Sequence, residues 1–254
     1  MDILTDLSNN ILTIQFNRPT KKNSITAAMY QSMADALYNA NEDANVRVIL
    51  FRGNESVFSA GNDLIDFKET PPTDSGAPVF QFLRQLSGAT KPIVAAVSGL
   101  AIGIGTTLLL HCDLVYASDN AIFSLPFAQL GLCPEAASSL LLARLIGHQR
   151  AAEKLLLGEP FNAREAFDLG MVNRLIPAAE LNSFALAQAT KLAALPASSM
   201  RATKALMKRI STDEIAEQIN QENNQFRVML QSPEAHEAIS AFFEKRKPDF
   251  SKLM

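Results

Sequence analysis

The sequence is short of the residues that hold metals and cross-links. Its 254 residues include two cysteines, Cys112 and Cys133, and three histidines, His111, His148 and His236. The cysteines have neither metal-binding spacing nor disulfide density, so they read as thiols in or near a core, in a reducing compartment. No His-Glu-x-x-His pair and no Cys/His cluster occurs, which argues against a zinc site and for no bound metal. A basic excess is missing too. Lys and Arg number 23 against 26 Asp and Glu, a net charge of −3, which gives no footprint for general nucleic-acid binding. A local basic patch for a phosphorylated ligand stays open. Gly-x-Ser-x-Gly, Walker A and Gly-x-Gly-x-x-Gly sequences are all absent, so a hydrolase triad, nucleotide hydrolysis and hydride transfer are unsupported. The opening Met1-Asp2-Ile3-Leu4-Thr5-Asp6 lacks the basic and apolar regions of a secretory leader. Ser251-Lys252-Leu253 would be a peroxisomal address if terminal, but Met254 follows it. A cytoplasmic protein is expected, with no nucleic-acid or membrane partner.

What is present is apolar: 48% hydrophobic residues against 19% charged, the balance of a folded chain long enough for one large core. Residues 92–112 carry no Asp, Glu, Lys or Arg, a stretch as long as a membrane span of about 20 residues. Pro92 opens it, however, and Gly99, Gly103 and Gly105 interrupt it. It reads better as a buried strand (92–97), a Ser98-Gly99 turn and a packed helix (105–110). Further strands are predicted at 11–16, 46–51, 113–117, 121–124 and 171–176. Helices are predicted at 26–41, where Thr26 is a cap for a Met29/Met33/Leu37 face, and at 79–86, 135–146, 149–157 and 163–169. Residues 69–77, with Pro71, Pro72 and Gly76, read as a mobile loop. Beyond Pro177 everything reads as helix: 179–194, 198–210, 212–230 and 233–245. A boundary near Pro196 divides a core (1–195) from a helical region (196–254).

Two glycine turns, Ala60-Gly61-Asn62-Asp63 and Gly103-Ile104-Gly105, can present bare backbone amides to a ligand. A helix starting at the second would add the positive end of its dipole. Two such amides can form an oxyanion hole, although the spacing by itself describes ordinary turns equally well.

Several segments match one family in order and spacing. They are Asn17-Arg18-Pro19 with Lys22-Asn23-Ser24, Phe58-Ser59-Ala60-Gly61-Asn62-Asp63-Leu64, Lys91 to Gly99 with Gly103-Ile104-Gly105, Cys112-Asp113, Gly170-Met171-Val172, and Phe242-Phe243-Glu244-Lys245-Arg246-Lys247-Pro248. Together they resemble the enoyl-CoA hydratase/isomerase (crotonase) superfamily over nearly the whole chain. The resemblance implies an α/β fold, a ClpP/crotonase-like spiral of ββα units with a helical C-terminal trimerisation region. It also implies a homotrimer or a hexamer, and an acyl-CoA thioester as substrate, coenzyme A being part of that substrate and no separate cofactor being needed. The oxyanion hole falls on the amides of Asn62 and Ile104. Lys22, Ser24, Ala60, Gly61, Asp63, Leu64, Gly103, Phe127, Leu132 and Pro134 fall at substrate or coenzyme A contacts, Asp63 shaping its turn. Lys245 and Lys247 are further candidates for the phosphates, in their own or a neighbouring subunit, and Asp113 is expected to pair or cap.

Hydratases of that family manage a water molecule with two glutamates, and the matching positions here are Thr107 and Phe127. Neither can serve as a general base near neutral pH. Thr107 is expected to bond backbone and Phe127 to line an acyl pocket. The segment from Phe123 to Ser139 resembles instead the peroxisomal-type delta-3,delta-2-enoyl-CoA isomerases, which implies Glu135 as the catalytic base. A helix N-terminus would favour its charged form and an apolar pocket of Phe127, Leu132 and Leu140 its neutral form, which leaves its charge state open. The expected function is isomerisation of a 3-enoyl-CoA to a 2-trans-enoyl-CoA in fatty-acid beta-oxidation. The alternatives are an enoyl-CoA hydratase or another acyl-CoA reaction of the family, and a non-catalytic acyl-CoA-binding module.

Overall fold

Among the described residues, short runs of branched and aromatic residues build ten strands. In the computed structural model, which describes residues 1–251 and 253, β1 (Ile3–Ser8) and β2 (Ile11–Phe16) form a hairpin. Lys252 lies outside the described residues, and with it the middle of the Ser251-Lys252-Leu253 tripeptide. The hairpin turns on Asn9 and Asn10, with φ 51° and 64°, as the twist of a two-residue connection demands. β1 was not foreseen: it is an edge strand with only Ile3 buried, so its sequence carries almost no hydrophobic pattern.

The following strands alternate between two sheets. β3 (Val48–Arg52), β5 (Ile93–Val97), β7 (Leu114–Ser118) and β10 (Arg174–Ile176) extend the first sheet in the order β1-β2-β3-β5-β7-β10. β4 (Val57–Ser59), β6 (Leu100–Ile102), β8 (Ile122–Ser124) and β9 (Phe161–Asn162) form the second. Each circuit of the chain lays one strand in each sheet, β3 with β4, then β5 with β6, then β7 with β8, and the partners within the first sheet beyond β2 are parallel. This is the expected spiral. Every residue of β5 is buried, so the charge-free stretch is sheet core. Among the described residues no helix is long and apolar enough to cross a membrane.

The helices follow their caps and stripes. α1 (Ala27–Glu42) begins where Thr26 accepts a bond from the Met29 N–H, as expected, and α2 (Leu64–Glu69) where Asp63 accepts from Ile65 and Asp66. α3 is Pro78–Ser87. α4 (Ile104–Thr107) tightens into a 3-10 turn ending at His111, so the helix expected at 105–110 is in two pieces. α5 (Ser138–Ile146) starts three residues later than its apolar pattern suggests, because Ala136 and Ala137 are left-handed. α6 (His148–Ala152) and α7 (Ala163–Asp168) complete the spiral, and α8 (Leu181–Ala194), α9 (Ala197–Lys208), α10 (Thr212–Met229) and α11 (Pro233–Glu244) follow. The loop between α2 and α3 is irregular, with ties from Arg84 to Ser75 O, Gln81 to Gly76 O and Arg227 to Thr73 O.

Alternate residues of the first sheet serve two cores. Val48, Leu50, Val94 and Ala96 pack under the alanine-rich face of α8. Ile49, Phe51, Ile93 and Ala95 face the larger core, which also takes Ile215, Ile219 and Phe226 of α10 and Ile239 of α11. α10 and α11 thus belong to the packing of their own chain.

Candidate active site

The two glycine turns meet. A Cβ built on Gly61, at φ +86°, would stand 2.8 Å from Ile102 O and 3.9 Å from Gly103 Cα, so only glycine lets these backbones approach. Gly103, at φ +55°, has open space where a Cβ would be. Around them the amides are largely committed. Gly61 N donates to Ser59 Oγ (3.1 Å), Asp63 N to Ile25 O (2.9 Å) and Gly103 N to Ser124 O (2.9 Å). Among the described residues the N–H groups of Asn62 and Ile104 find no partner, which leaves two donors on adjoining turns.

A cleft of about 740 Å³ opens beside them. Of the residues singled out in the sequence, Lys22, Ser24, Ala60, Gly61, Asn62, Asp63, Leu64, Gly103, Phe127 and Leu132 line it; Ile104, Pro134 and Glu135 do not. Sequence reasoning missed the opposite wall, where Phe226 of α10 and Leu230 at its C-cap, Phe242 and Phe243 of α11, and Arg246 close the cleft within the same chain. Lys245 and Lys247 do not line it. Arg246 does, held by Glu237 (2.8 Å through Nη2) and by Glu244 (2.5 Å). Asp63 is structural: besides capping α2 it takes a 2.5 Å ion pair from Arg18 and a bond from Ser24 Oγ. Partial burial works against its charge, but the bonds from Arg18, the Asp66 amide and Ser24 together hold its pKa below the usual value. Asp113 pairs with Lys204 at 2.7 Å and accepts from Ile93 N.

Thr107 corrects an expectation. It is buried with its hydroxyl unpartnered, and Thr106 bonds backbone instead, at Ala101 O and Ser124 O. Phe127 is buried in the wall, as expected.

Glu135 is 3% exposed, and its Oε1 has no hydrogen-bond partner. It is not on a helix N-terminus, since α5 begins at Ser138. With no dipole to oppose it, burial decides the charge question. Desolvation, then the charge of Glu222, push its pKa up to about 8, while the Asn62 side-chain amide acts the other way. The Tyr30 hydroxyl donates to Asn62 Oδ1, which turns the Asn62 amide nitrogen away from it. Burial first, and the Glu135 charge second, raise the pKa of Tyr30 well above its ordinary value, so it remains a donor.

The turn that carries Glu135 is held from two sides. His111 Nε2 lies 2.8 Å from Ala136 O. Burial lowers its pKa to about 4, so the ring is neutral and the proton sits on Nε2, where the carbonyl needs it. From α10, Glu222 accepts from Ala137 N at 2.6 Å and from Ser139 N at 3.1 Å. Tyr30, His111 and Glu222 escaped sequence reasoning. The one available signal was the phase of Glu222 on the buried stripe Ile215, Ile219, Phe226. Cys112 and Cys133 are free and half-buried, and burial raises their thiols to about 12 and about 11.

Comparison with known proteins gives the family and the fold. A family model described as enoyl-CoA hydratase/isomerase matches residues 6–252. Enoyl-CoA delta isomerase 2 of Rattus norvegicus is 38% identical over 97% of this chain, which spans 64% of the rat protein's length. The 2,3-dehydroadipyl-CoA hydratase of Escherichia coli K12 is 31% identical over 98% of both. A crystal structure of an enoyl-CoA hydratase/isomerase from Pseudoalteromonas atlantica T6c superposes with a TM-score of 0.94 at 40% identity, covering 98% of this chain and 100% of the other.

Proposed function

The chain belongs to the enoyl-CoA hydratase/isomerase family, and on that premise we propose that it is a delta-3,delta-2-enoyl-CoA isomerase with Glu135 as its base. The observation that carries this reading is the count of carboxylates. One buried carboxyl with a bare oxygen stands by Asn62, and the positions that the family resemblance assigns to the two water-managing glutamates hold Thr107 and Phe127. Double-bond migration needs only one base. Ionised Glu135 takes a proton from the alpha carbon of a 3-enoyl thioester, and the electron pair moves into a dienolate whose oxygen is held by the N–H groups of Asn62 and Ile104. The same carboxyl then returns the proton to the gamma carbon, giving the 2-enoyl product. An alpha proton is too weakly acidic for a carboxylate alone, and each oxyanion donor contributes about 3 kcal/mol to such a step. Lys22 is the candidate for a phosphate of coenzyme A, and Phe127 and Leu132 for the acyl wall. The exposed Leu206, Met207 and Ile210 suit a homo-oligomer.

The test is turnover of a 3-enoyl-CoA and of a 2-enoyl-CoA by wild type and Glu135→Gln, with products resolved by mass spectrometry. The expected result is a 2-enoyl product from wild type, reduced about 10³-fold in the variant. Dominant 3-hydroxyacyl product, or turnover indifferent to the substitution, would replace this reading with a hydratase or with another base. Binding without turnover would leave a non-catalytic module.

A further inference from the structure

Glu222 occupies a costly place. It lies on the buried stripe of α10 and is 5% exposed, and no cation pairs with it among the described residues. A buried carboxylate without a counter-charge is retained only against a large desolvation cost. Three groups offset that cost, all from the turn after Glu135: Ala137 N (2.6 Å), Ser139 N (3.1 Å) and the Ser139 hydroxyl. Gln218, one helical turn earlier, reinforces the grip by donating to Ser139 Oγ at 2.9 Å.

The turn itself needs holding. Ala136 and Ala137 sit at φ 62° and 54°, a conformation that costs a residue with a Cβ about 1 kcal/mol or more. Ala137 is the N-cap of α5 and has no side chain to cap with, and the neighbouring Ser138 hydroxyl has no partner. The cap of α5 is therefore supplied from another helix, and the supplier bears a charge.

We propose that Glu222 is a positioning residue for Glu135: from α10 it grips the amides of Ala137 and Ser139, keeps Ala136 and Ala137 left-handed, and so presents the Glu135 carboxyl to Asn62. The assignment rests on the reading of Glu135 as the base. When ionised, Glu222 has a second effect. The groups facing Glu135 are Tyr30 from α1, Asn62 from its turn, Glu222 from α10 and, on its own segment, Cys133; His111 reaches the adjoining carbonyl. Tyr30 and Cys133 stay protonated and His111 stays neutral, so among the described residues Glu222 is the one neighbour that can bring charge; burial raises its own pKa, and the bonds from Ser139, the Ala137 amide and Gln218 act the other way. It disfavours a second anion and keeps the Glu135 proton on in the empty site. The two carboxyls differ in their partners: Glu222 has donors that favour its charged form, and Glu135 has a bare oxygen free to exchange a proton.

The experiment compares wild type, Glu135→Gln, Glu222→Gln and Glu222→Asp by two readouts. The first is kcat and KM for a 3-enoyl-CoA across pH 5–10. The second needs no turnover: proteins carrying δ-¹³C glutamate are titrated by NMR, and the Glu135 signal is the one missing in Glu135→Gln. Glu222→Gln removes the charge and sets an amide N–H against an amide donor. It is expected to lower kcat about tenfold or more with KM within twofold, and to move the Glu135 midpoint down by on the order of one pH unit. Glu222→Asp keeps the charge on a shorter arm, so kcat falls while the midpoint stays. If Glu222→Gln does not fold, Glu222→Asp carries the test, and an unchanged kcat in it overturns the proposal. Wild-type kcat and an unmoved midpoint in Glu222→Gln overturn it as well. Full turnover in Glu135→Gln removes the base instead, and the NMR titration still decides whether Glu222 governs Glu135.

Discussion

At Gly61 a single hydrogen in place of a methyl group keeps two turns together. Any Cβ there would press on Ile102 O at 2.8 Å, on a backbone already at φ +86°. Gly61→Ala is therefore expected to push the Asn62 amide off its position, lowering kcat about 10²-fold and destabilising the fold by about 1–3 kcal/mol. Steady-state kinetics and a urea melt on the same preparation measure both. The substitution leaves Lys22, Phe127 and Leu132 in place, so KM should move far less than kcat. Glu135 obeys different physics: its proton affinity is set by what surrounds it. Burial is visible from a sequence only through periodicity, and the 134–137 segment has none. That is why the carboxyl was legible as a candidate by resemblance while its state was not.

Among the elements, α9 hangs on one pin. Lys204 is its only buried residue, and its Nζ bonds Asp113 Oδ2 and Lys91 O, both at 2.7 Å. Lys204→Met would strand the Asp113 charge beneath the helix, a loss of roughly 3 kcal/mol expected in urea denaturation, with the cleft residues untouched. Elements whose sequence carries their own rule were readable: the Thr26 cap with its Met29/Met33/Leu37 face, the all-apolar β5, and the helical run after Pro177. Elements defined by a neighbour were not. β1 exists because β2 offers it an edge, and α5 starts late because Glu222, from a helix more than eighty residues on, satisfies the amides at its start. Most residues that the resemblance singled out as contacts line one wall of the cleft. The far wall, Phe226 with Phe242, Phe243 and Arg246, depends on how α10 and α11 fold back, which no local pattern records.

For the whole molecule, two buried groups shape stability against pH. His111 titrates near 4 in the fold and near 6.5 free; the unfolded chain binds more protons in between, so stability rises with pH across that window. Glu135 titrates at about 8 in the fold against 4.5 free; here the folded chain binds more protons, so stability falls as pH rises from 4.5 to 8. Between pH 4.5 and 6.5 the two oppose each other, and above 6.5 only the fall remains. Chemical denaturation at pH 6.5 and pH 8.5 should show wild type losing stability over that interval and Glu135→Gln losing less. The cleft has a consequence for synthesis as well. One wall is drawn from residues up to Leu132 and the other from α10, α11 and the residues up to Phe250. On a ribosome, both glycine turns are made long before the wall that faces them, so a ligand can reward only a chain whose last helices have emerged and docked.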